Sequence, residues 1–263
     1  MSGDSVAFDR AAEYYDETRR VPERHLLDTV EMIADEVGER GRVLEVGVGT
    51  GLLALPLHER GAPVVGLDLS EPMLRQLVKK AGRRAPFPIV RGDATRMPFA
   101  DGAFGAAYLR WVLHLIPAWA EALRQVARAV HPGGRILVTL GSYGGPRDLI
   151  LERFEAITGV PTRPAGIGFG ADDELDDEAS RLGLVVRRPR VLHEQVEETL
   201  QSFLDGIRAN SYSWTWPVRA DVLVDAAARL GPWMVERFGP LDRPIRYTSD
   251  VPWHVFEVSG QAG

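Results

Sequence analysis

Apolar and polar residues follow a repeating block pattern along the first half of the chain. Short apolar runs bounded by glycine or charged residues predict strands, and apolar residues spaced three and four apart predict helices. We predict strands at 42–46, 63–69, 87–94, 104–116 and 135–140, the fourth running on into irregular structure. We predict helices at 22–37, 52–60, 70–84 and 117–130. This regular alternation predicts a parallel sheet with helices on both faces.

The pattern changes after about Ser142, where helical periodicity predominates. Helices are predicted at 147–158, 172–182, 196–208 and 218–237, and strands near 184–191 and 254–258. No segment repeats with a period of roughly 20–50 residues, so a solenoid or propeller is not indicated. We interpret the second half as completing the sheet of the first half and adding a helical lid.

Three alternating glycines follow the first predicted strand, in the segment LEVGVGTG at 44–51. Glycine weakens a strand, so glycines at this place indicate a tight turn or a ligand that approaches the backbone closely. A strand, a glycine-rich turn and a helix N-terminus together direct backbone N–H groups at a ligand. A dinucleotide fingerprint requires a third glycine where this chain has Leu52. The spacing, with Glu45 before the glycines, therefore disfavours a pyrophosphate ligand.

The composition narrows the class of protein. The chain of 263 residues is 45% hydrophobic and 26% charged, which is typical of a globular protein. Its net charge of −6 argues against nucleic acid and anionic membranes as partners, and no apolar run reaches the roughly 18 residues of a membrane span. With no cysteine and no histidines at ligand spacing, we expect neither a disulfide nor a metal site. The N-terminal segment lacks the apolar core of a secretory signal, so we expect a cytoplasmic location.

Four ordered motifs carry a resemblance to a known family. They are LEVGVGTG (44–51), GLDLS (66–70), GDATRMPFADGAF (92–104) and LRQVARAVHPGGRILV (123–138). Together they resemble the class I S-adenosylmethionine-dependent methyltransferases of the type 11, UbiE-like branch, which act on small molecules. The resemblance implies a Rossmann-like α/β fold: a doubly wound, mostly parallel seven-stranded sheet with one antiparallel strand and helical lid insertions.

The resemblance also implies how the chain is organised. We predict a single domain over 1–263, within which 1–40 form an N-terminal helical lid segment and 41–141 form the cofactor-binding core. Residues 142–263 would supply the rest of the sheet and a helical substrate lid. The expected cofactor is S-adenosylmethionine, with S-adenosylhomocysteine as its product, and no metal.

The predicted cofactor-binding residues lie at the ends of the first four strands. Asp68 ends the second strand, where a carboxylate can accept both ribose hydroxyls. By resemblance, Asp93 accepts the adenine amino group and the backbone of Ala94 meets the ring. Gly47 would face the methionine end of the cofactor, and Glu45 would anchor the loop indirectly. The other predicted cofactor contacts are Tyr15, Val48, Gly49, Gly51, Leu69, Met73, Gly92, Leu109, Arg110 and Trp111.

Several of these residues have a structural alternative. Asp68 could cap the helix that follows it, and Met73 and Trp111 could belong to the core. One position also departs from the family, because Gly105 stands where an aspartate usually follows the phenylalanine. We expect this glycine to loosen local packing without touching the cofactor.

Methyl transfer requires the nucleophile, the methyl carbon and the sulfur to be nearly in line, so positioning and the exclusion of water can supply most of the acceleration. A general base is needed only when the acceptor must first lose a proton. His114 and Arg110, at the exit of the fourth strand, are the candidate catalytic residues. The candidate acceptor-binding residues are Tyr14, His114, Tyr212, Trp214 and Trp216. A structural role stays open for His114 and for the aromatic cluster.

We therefore predict an S-adenosylmethionine-dependent methyltransferase that acts on oxygen, nitrogen or carbon of a small molecule. The chain lacks the Asn/Asp-Pro-Pro-aromatic tetrad that amino-group methyltransferases of DNA and glutamine use, and without cysteine the covalent route to carbon 5 of cytosine is closed. The alternatives are a protein that binds the cofactor without methyl transfer, a methyltransferase of RNA or protein, and a nicotinamide-dependent oxidoreductase. The expected partner is a small-molecule acceptor, and the oligomeric state is left open.

Overall fold

A computed structural model describes residues 8–13, 15, 22–141, 145–162, 165–168 and 170–260. The chain divides into two compact units. The first comprises Met1–Gly141, Ala165–Leu192 and Pro252–Gly263. The second comprises Ser142–Pro164 and His193–Val251. The predicted core 41–141 lies entirely in the first unit, whereas the predicted division of the remainder of the chain stays a prediction.

Eight strands and eight α-helices are present in the described residues. The strands are β1 (Val43–Val46), β2 (Val64–Asp68), β3 (Ile89–Arg91), β4 (Phe104–Arg110), β5 (Val130–Thr139), β6 (Leu184–Val186), β7 (Arg190–Thr199) and β8 (Pro244–Val258). The helices are α1 (Glu23–Val37), α2 (Ala54–Glu59), α3 (Glu71–Lys80), α4 (Trp119–Ala129), α5 (Arg147–Thr158), α6 (Asp172–Arg181), α7 (Leu200–Arg208) and α8 (Ala220–Phe238). Short 3₁₀ turns occur at Asp9–Ala11, Ala94–Arg96, Leu113–Leu115 and Ser213–Thr215.

The sheet has the order β3-β2-β1-β4-β5-β8-β6, with β7 also paired to β8. Strands β1 to β5 pair in parallel, and β8 is antiparallel to both β5 and β6. The predicted mostly parallel α/β fold with an antiparallel strand is therefore confirmed. Because β1 and β4 are neighbours and their connections diverge, the strand order reverses between them, which is where such sheets bind ligands.

The predicted count of seven strands is one too low, because β7 was assigned in part to a helix at 196–208. That helix, α7, begins only at Leu200. Polar side chains bridge β7 to the first half of β8, as in the pairs His193–Asp250 and Gln195–Thr248. These partners are distant in the sequence, so the local pattern at 190–199 did not reveal them.

The parallel strands are buried because helices cover both faces of the sheet. All four residues of β1 are buried, and alternate residues of β1, β2, β4 and β5 share a hydrophobic cluster with α4 and α6. Helix α1 packs on β4 and β5, and α3 packs on β2. This packing fixes the carboxyl ends of β1, β2 and β4 along one edge of the sheet.

Gly105 does not loosen the packing as we expected. A Cβ atom at this position would lie 1.7 Å from the carbonyl oxygen of Arg40, so a side chain is excluded by backbone. The Gly105 N–H also donates to the carbonyl of Arg42 at 2.8 Å. Glycine at this position therefore permits a close approach of two chain segments.

The second unit has its own hydrophobic core. Helices α5, α7 and α8 surround buried residues that include Phe154, Phe203, Leu204, Leu230 and Met234. Helix α5 has the predicted bounds, and α8 runs from Ala220 to Phe238 against a predicted 218–237.

Candidate functional site

The glycine segment after β1 is a turn that only glycine accommodates easily. Gly47, Gly49 and Gly51 have φ angles of +76°, +53° and +81°, in the region that side chains disfavour. The N–H groups of Gly47 and Val48 both donate to the carbonyl of Leu67 at the end of β2, at 2.7 and 3.0 Å. The turn is thereby held against the adjacent strand.

Gly47 also meets a steric requirement. A Cβ atom there would lie 2.3 Å from Cγ2 of Val112, which follows the end of β4. At Gly49 a Cβ atom would meet Cε of Met73 at 3.4 Å, an ordinary contact. The glycines thus allow side chains of the protein itself to pack closely against the turn. From the sequence we had expected a tight turn or a ligand at this place.

Asp68 joins two backbone segments at the end of β2. Its Oδ2 accepts from the Gly49 N–H and its Oδ1 from the Ser70 N–H, each at 2.8 Å. The hydroxyl of Ser70 caps α3 by accepting from the Met73 N–H at 3.3 Å. Ser70 therefore performs the capping role that we had considered for Asp68.

Burial and a neighbouring negative charge act against ionisation of the Asp68 carboxyl, and two backbone N–H groups act for it. Burial raises the pKa of this carboxyl above its ordinary value, although the N–H groups of Ser70 and Gly49 act in the opposite direction. The negative charge of Asp9 raises the pKa further. The turn Asp9–Ala11 packs on α3, so the N-terminal segment lies beside this part of the sheet edge.

Glu45 forms a buried pair with Tyr108 on the neighbouring strand. The two residues are opposite in the register of β1 and β4, and the Tyr108 hydroxyl donates to Oε2 of Glu45 at 2.8 Å. The Ala54 N–H also donates to this carboxyl. Burial dominates over these bonds and over the nearby charge of Arg110, and raises the pKa of Glu45 to about 8.

Tyr108 is a residue that the sequence analysis missed. Its side chain is fully buried, and its pKa is raised well above the ordinary value by burial and by the adjacent Glu45. A signal was available, because a buried tyrosine hydroxyl requires a partner and Tyr108 is the one hydroxyl in the strand FGAAYLR. The partner itself depends on strand register and was not evident.

Asp93 begins the 3₁₀ turn after β3. Its Oδ1 accepts from both the N–H and the hydroxyl of Thr95, at 2.8 and 2.9 Å. Ala94 is buried, and Gly92 is tied to β2 by a bond from its N–H to the carbonyl of Asp68 at 2.9 Å. The turn role of Asp93 is thus established by geometry, and within the described residues no hydrogen bond reaches its Oδ2.

The exit of β4 brings together a cation and an indole ring. Cζ of Arg110 lies 3.8 Å from the ring centroid of Trp111. Trp111 has a φ of +56°, a left-handed conformation that is rare for a bulky residue. Its Nε1 is buried and has no hydrogen-bond partner in the described part of the chain. His114 lies further along, on the turn Leu113–Leu115, where its carbonyl accepts from the Gly166 N–H at 2.8 Å.

The remaining predicted cofactor contacts differ in burial. Leu109 is fully buried within the hydrophobic cluster of the sheet. Met73 is 3% exposed, whereas Leu69 is partly exposed at the end of β2. Tyr15 packs edge-on against Phe8 with ring centroids 5.9 Å apart. Tyr14, predicted to contact the acceptor, lies outside the described residues.

The aromatic residues predicted to contact the acceptor lie in the second unit. Tyr212 and Trp214 are stacked with ring centroids 5.4 Å apart, and both pack on Phe203. The Nε1 of Trp216 donates to the carbonyl of Asn210 at 3.2 Å. These contacts agree with the alternative that the aromatic cluster has a structural role. An acceptor-binding role for the three residues stays a prediction.

Comparisons with known proteins bear on the same region. Residues 44–138 match the family described as a methyltransferase domain. A demethylmenaquinone methyltransferase of Corynebacterium kroppenstedtii is 42% identical over 97 residues, which are 37% of this chain and 40% of that protein. Over this region the chain is similar to methyltransferase domains, including those of demethylmenaquinone methyltransferases.

Solved structures extend the likeness from this region to the fold. A protein of Bacillus halodurans, provisionally named a methyltransferase, has a TM-score of 0.62 at 17% identity, over 89% of this chain and 99% of that one. The [4+2]-cyclase SpnF has a TM-score of 0.54 at 16% identity, over 99% and 100% of the two chains. At these identities only the fold is shown. The chain spans about two fifths of the length of the curated relatives it matches.

The residues at the sheet edge fit S-adenosylmethionine, the cofactor that the resemblance implies. Asp68 presents a carboxylate at the end of β2, and the buried Nε1 of Trp111 is a donor that lacks an acceptor in the described chain. Gly47 and Gly49 leave the backbone of the turn after β1 without side chains of its own at these two positions. Within the described residues, no group of three or more His, Asp or Glu side chains could hold a metal ion. No helix in that part of the chain is both long and apolar enough to span a membrane.

Proposed function

We propose that the chain transfers a methyl group from S-adenosylmethionine to a small-molecule acceptor. When bound, the cofactor supplies an activated methyl group on a sulfonium. The observation that carries the proposal is the bond from the Gly49 N–H to Asp68 at 2.8 Å, because it joins the glycine turn to the acidic end of β2. These are the two elements that a nucleoside ligand requires at this edge of the sheet.

Each residue at the edge has a proposed task. Asp68 binds the ribose hydroxyls, and Asp93 and the backbone of Ala94 bind the adenine. Gly47 gives the ligand access to the end of β1, while Glu45, held by Tyr108, keeps β1 and β4 in register. The other predicted cofactor contacts, including Tyr15, Leu69 and Met73, stay proposals of the same kind.

The residues at the end of β4 are proposed to orient the methyl acceptor. His114 and Arg110 follow the strand whose end lies beside the glycine turn, and either can orient a polar acceptor atom. A base is required only for acceptors that carry a proton at neutral pH. His114 is the candidate for that role in this proposal.

The names of the relatives suggest a class of acceptor but do not identify the acceptor of this chain. The matching relatives are named demethylmenaquinone methyltransferases, so quinols with an unsubstituted ring position are the first acceptors to screen. The match is confined to the cofactor half of the chain, so other small molecules belong in the same screen. The net charge of −6 makes RNA a less suitable acceptor.

The test is calorimetric titration of the full chain with S-adenosylmethionine and S-adenosylhomocysteine. Asp68→Ala should weaken both by roughly a hundredfold or more, since it removes a charged acceptor of two hydrogen bonds. Asp101→Ala, at an exposed carboxylate paired with Arg128, is the matched control and should bind like the wild type. Absence of binding to the wild-type chain would overturn the proposal.

A second candidate is a protein that binds the cofactor without transferring methyl. A solved structure of the same fold is named a [4+2]-cyclase, so the fold is not limited to methyl transfer. Cofactor carrying a labelled methyl group, incubated with the acceptor panel, separates the two functions. Tight binding of the cofactor with no labelled product from any acceptor would favour the second candidate.

A further inference from the structure

The edge of the sheet at β6 carries an exposed segment of valines and arginines. Residues 184–191 read LVVRRPRV, and all side chains of 185–191, which we call the edge segment, are exposed. Val185, Val186 and Val191 are 43%, 39% and 42% exposed. They are three of the seven large apolar side chains that are exposed in the described part of the chain. Exposed apolar residues that cluster in this way indicate a surface that contacts another molecule.

The strands that contain the edge segment have an open side. Strand β6 is last in the order of the sheet, and both β6 and β7 pair with β8 alone among the described strands. Charged residues and proline on such a strand prevent pairing with the strand of another chain. Pro189 and the arginines fit that protective role, but the three valines do not, because exposed apolar side chains promote contact. The combination indicates a partner that accepts apolar side chains and attracts cations without pairing as a strand.

The carboxylates next to the edge segment lie beneath its arginines. Glu36 accepts from Arg135 at 2.6 Å and from Arg190 at 2.7 Å, and its side chain is 12% exposed. Glu257 accepts from Arg187 at 2.7 Å, and its side chain is 27% exposed. The side chains of Arg187 and Arg190 are 48% and 46% exposed. The outer layer of these ion pairs is therefore positive.

The cations of this surface outnumber its anions. Arg40 donates to the carbonyls of Glu36 and Val37, and its charge also acts on the carboxyl of Glu257. Arg188 is exposed and has neither a hydrogen bond nor an ion pair within the described residues. Together with the three arginines of the ion pairs, five guanidinium groups accompany two carboxylates. The net charge of −6 is a sum over the whole chain, and this surface has the opposite sign.

This positive surface is separate from the glycine turn. Arg135 on β5 is in register with Ala106 on β4, and Ala106 is in register with Val43, the first residue of β1. The glycine turn follows Val46, at the other end of β1. The surface therefore lies at the amino ends of the parallel strands, opposite the edge to which we assign the cofactor.

We propose that the edge segment, with Arg40 and Arg135 beside it, docks on the surface of a bilayer that contains anionic lipids. The arginines attract the phosphate headgroups, and the valines enter the boundary between headgroups and acyl chains. The edge segment contains no aromatic residue on which the bases of single-stranded nucleic acid could stack, so a bilayer is favoured over RNA. The inference does not depend on the proposed function, because neither cofactor nor acceptor takes part.

The experiment is co-sedimentation of the full chain with lipid vesicles. Vesicles of phosphatidylcholine alone are compared with vesicles that also contain phosphatidylglycerol, at low and at high salt. The wild type should bind only the vesicles with phosphatidylglycerol, and binding should weaken as salt screens the charges. Arg188→Glu reverses a charge of the edge segment without breaking an ion pair. Arg243→Glu is the matched control, since Arg243 is also exposed and has no ion pair within the described residues.

The variants should differ in their affinity for the anionic vesicles. Arg188→Glu should weaken binding by roughly thirtyfold, because one attractive charge is replaced by a repulsive one, whereas Arg243→Glu should bind like the wild type. Val185→Ser should weaken binding by roughly threefold to tenfold. Val224→Ser, at a valine of α8 that is 71% exposed, is its control and should have no effect. Circular dichroism verifies folding, and Val191→Ser serves if Val185→Ser does not fold.

Four results would overturn the inference. The first is equal binding of the wild type to both kinds of vesicle, and the second is an equal loss in Arg188→Glu and Arg243→Glu. The third is full vesicle binding in Val185→Ser together with binding of poly-uridylate that Arg188→Glu abolishes, which would assign the surface to RNA. The fourth is a dimer in sedimentation velocity that Val185→Ser dissociates, which would assign it to a second copy of the chain.

Discussion

Each of the two units contains an arginine stacked on an aromatic ring, and the two arrangements differ in what surrounds them. In the second unit Arg147 lies 5.0 Å from the ring centroid of Phe203 and donates to Glu198. Tyr247 donates to the same carboxylate at 2.6 Å. In the first unit Arg110 stacks on Trp111, whose indole N–H lacks an acceptor in the described chain.

The difference is that the polar groups of the second cluster are paired with one another, whereas one donor of the first is unpaired in the described residues. The aromatic residues of the second unit contact one another, and the indole N–H of Trp216 is satisfied by a backbone carbonyl. The residues at the sheet edge of the first unit hold backbone turns through Asp68 and Glu45. An unpaired donor does not identify a binding site by itself, because the indole N–H of the core residue Trp253 also lacks a partner in the described residues.

The largest expected effect comes from Gly47→Ala in the first unit. The new Cβ would lie 2.3 Å from Val112 at a φ of +76°, so we expect a loss of about 3 kcal/mol in the free energy of unfolding. Affinity for S-adenosylhomocysteine should fall at least roughly tenfold, because the turn must move. Urea denaturation and calorimetry measure the two quantities.

Gly206→Ala is the control for this change in the second unit. Its Cβ would lie 2.6 Å from the Tyr212 hydroxyl, but its backbone, unlike that of Gly47, is not in the left-handed region. Stability should change less than in Gly47→Ala, and affinity for S-adenosylhomocysteine should be that of the wild type. A loss of ligand affinity in Gly206→Ala equal to that in Gly47→Ala would contradict the distinction between the units.

Glu45→Gln should alter the pH dependence of stability. The pKa of Glu45 is about 8 in the folded chain against 4.5 for an ordinary glutamate, so the folded state retains a proton that the unfolded chain releases. Raising the pH through this window therefore lowers the free energy of unfolding of the wild type.

A glutamine at position 45 keeps the acceptor for Tyr108 and cannot ionise. Urea denaturation at pH 5, 6, 7 and 8 should therefore show a flatter profile in Glu45→Gln, with the largest gain over the wild type at pH 8. Parallel profiles for the two proteins would show that Glu45 does not titrate in this range.

Glu198→Ala should have the smallest effect and act on stability alone. It removes the acceptor shared by Arg147 and Tyr247, which we expect to cost about 2 kcal/mol. Affinity for S-adenosylhomocysteine should stay within about twofold of the wild type, because these contacts lie inside the second unit. A change in ligand affinity without a change in stability would assign Glu198 to a binding role.

Local patterns in the sequence determined most of the first unit. The strands before and after the glycine turn and the cap at Ser70 follow from apolar periodicity and from the preferences of single residues. In the second unit, the bounds of α5 follow from periodicity in the same way. The acidic residue that ends β2 was also predictable, because a carboxylate after a parallel strand lies at the sheet edge. These features depend on neighbours within a few positions along the chain.

Tertiary structure alone decided the remaining features. Strand β7 depends on pairing with residues about fifty positions away, as in His193–Asp250, so its local pattern was misassigned in part to a helix. The partner of Glu45 is set by the register of β1 and β4, and the need for glycine at 105 is set by the carbonyl of Arg40. The unpaired N–H of Trp111 becomes evident only when every neighbouring acceptor is known. Each of these features depends on which distant segments lie next to one another in the fold. The residues nearby in the sequence do not specify those neighbours.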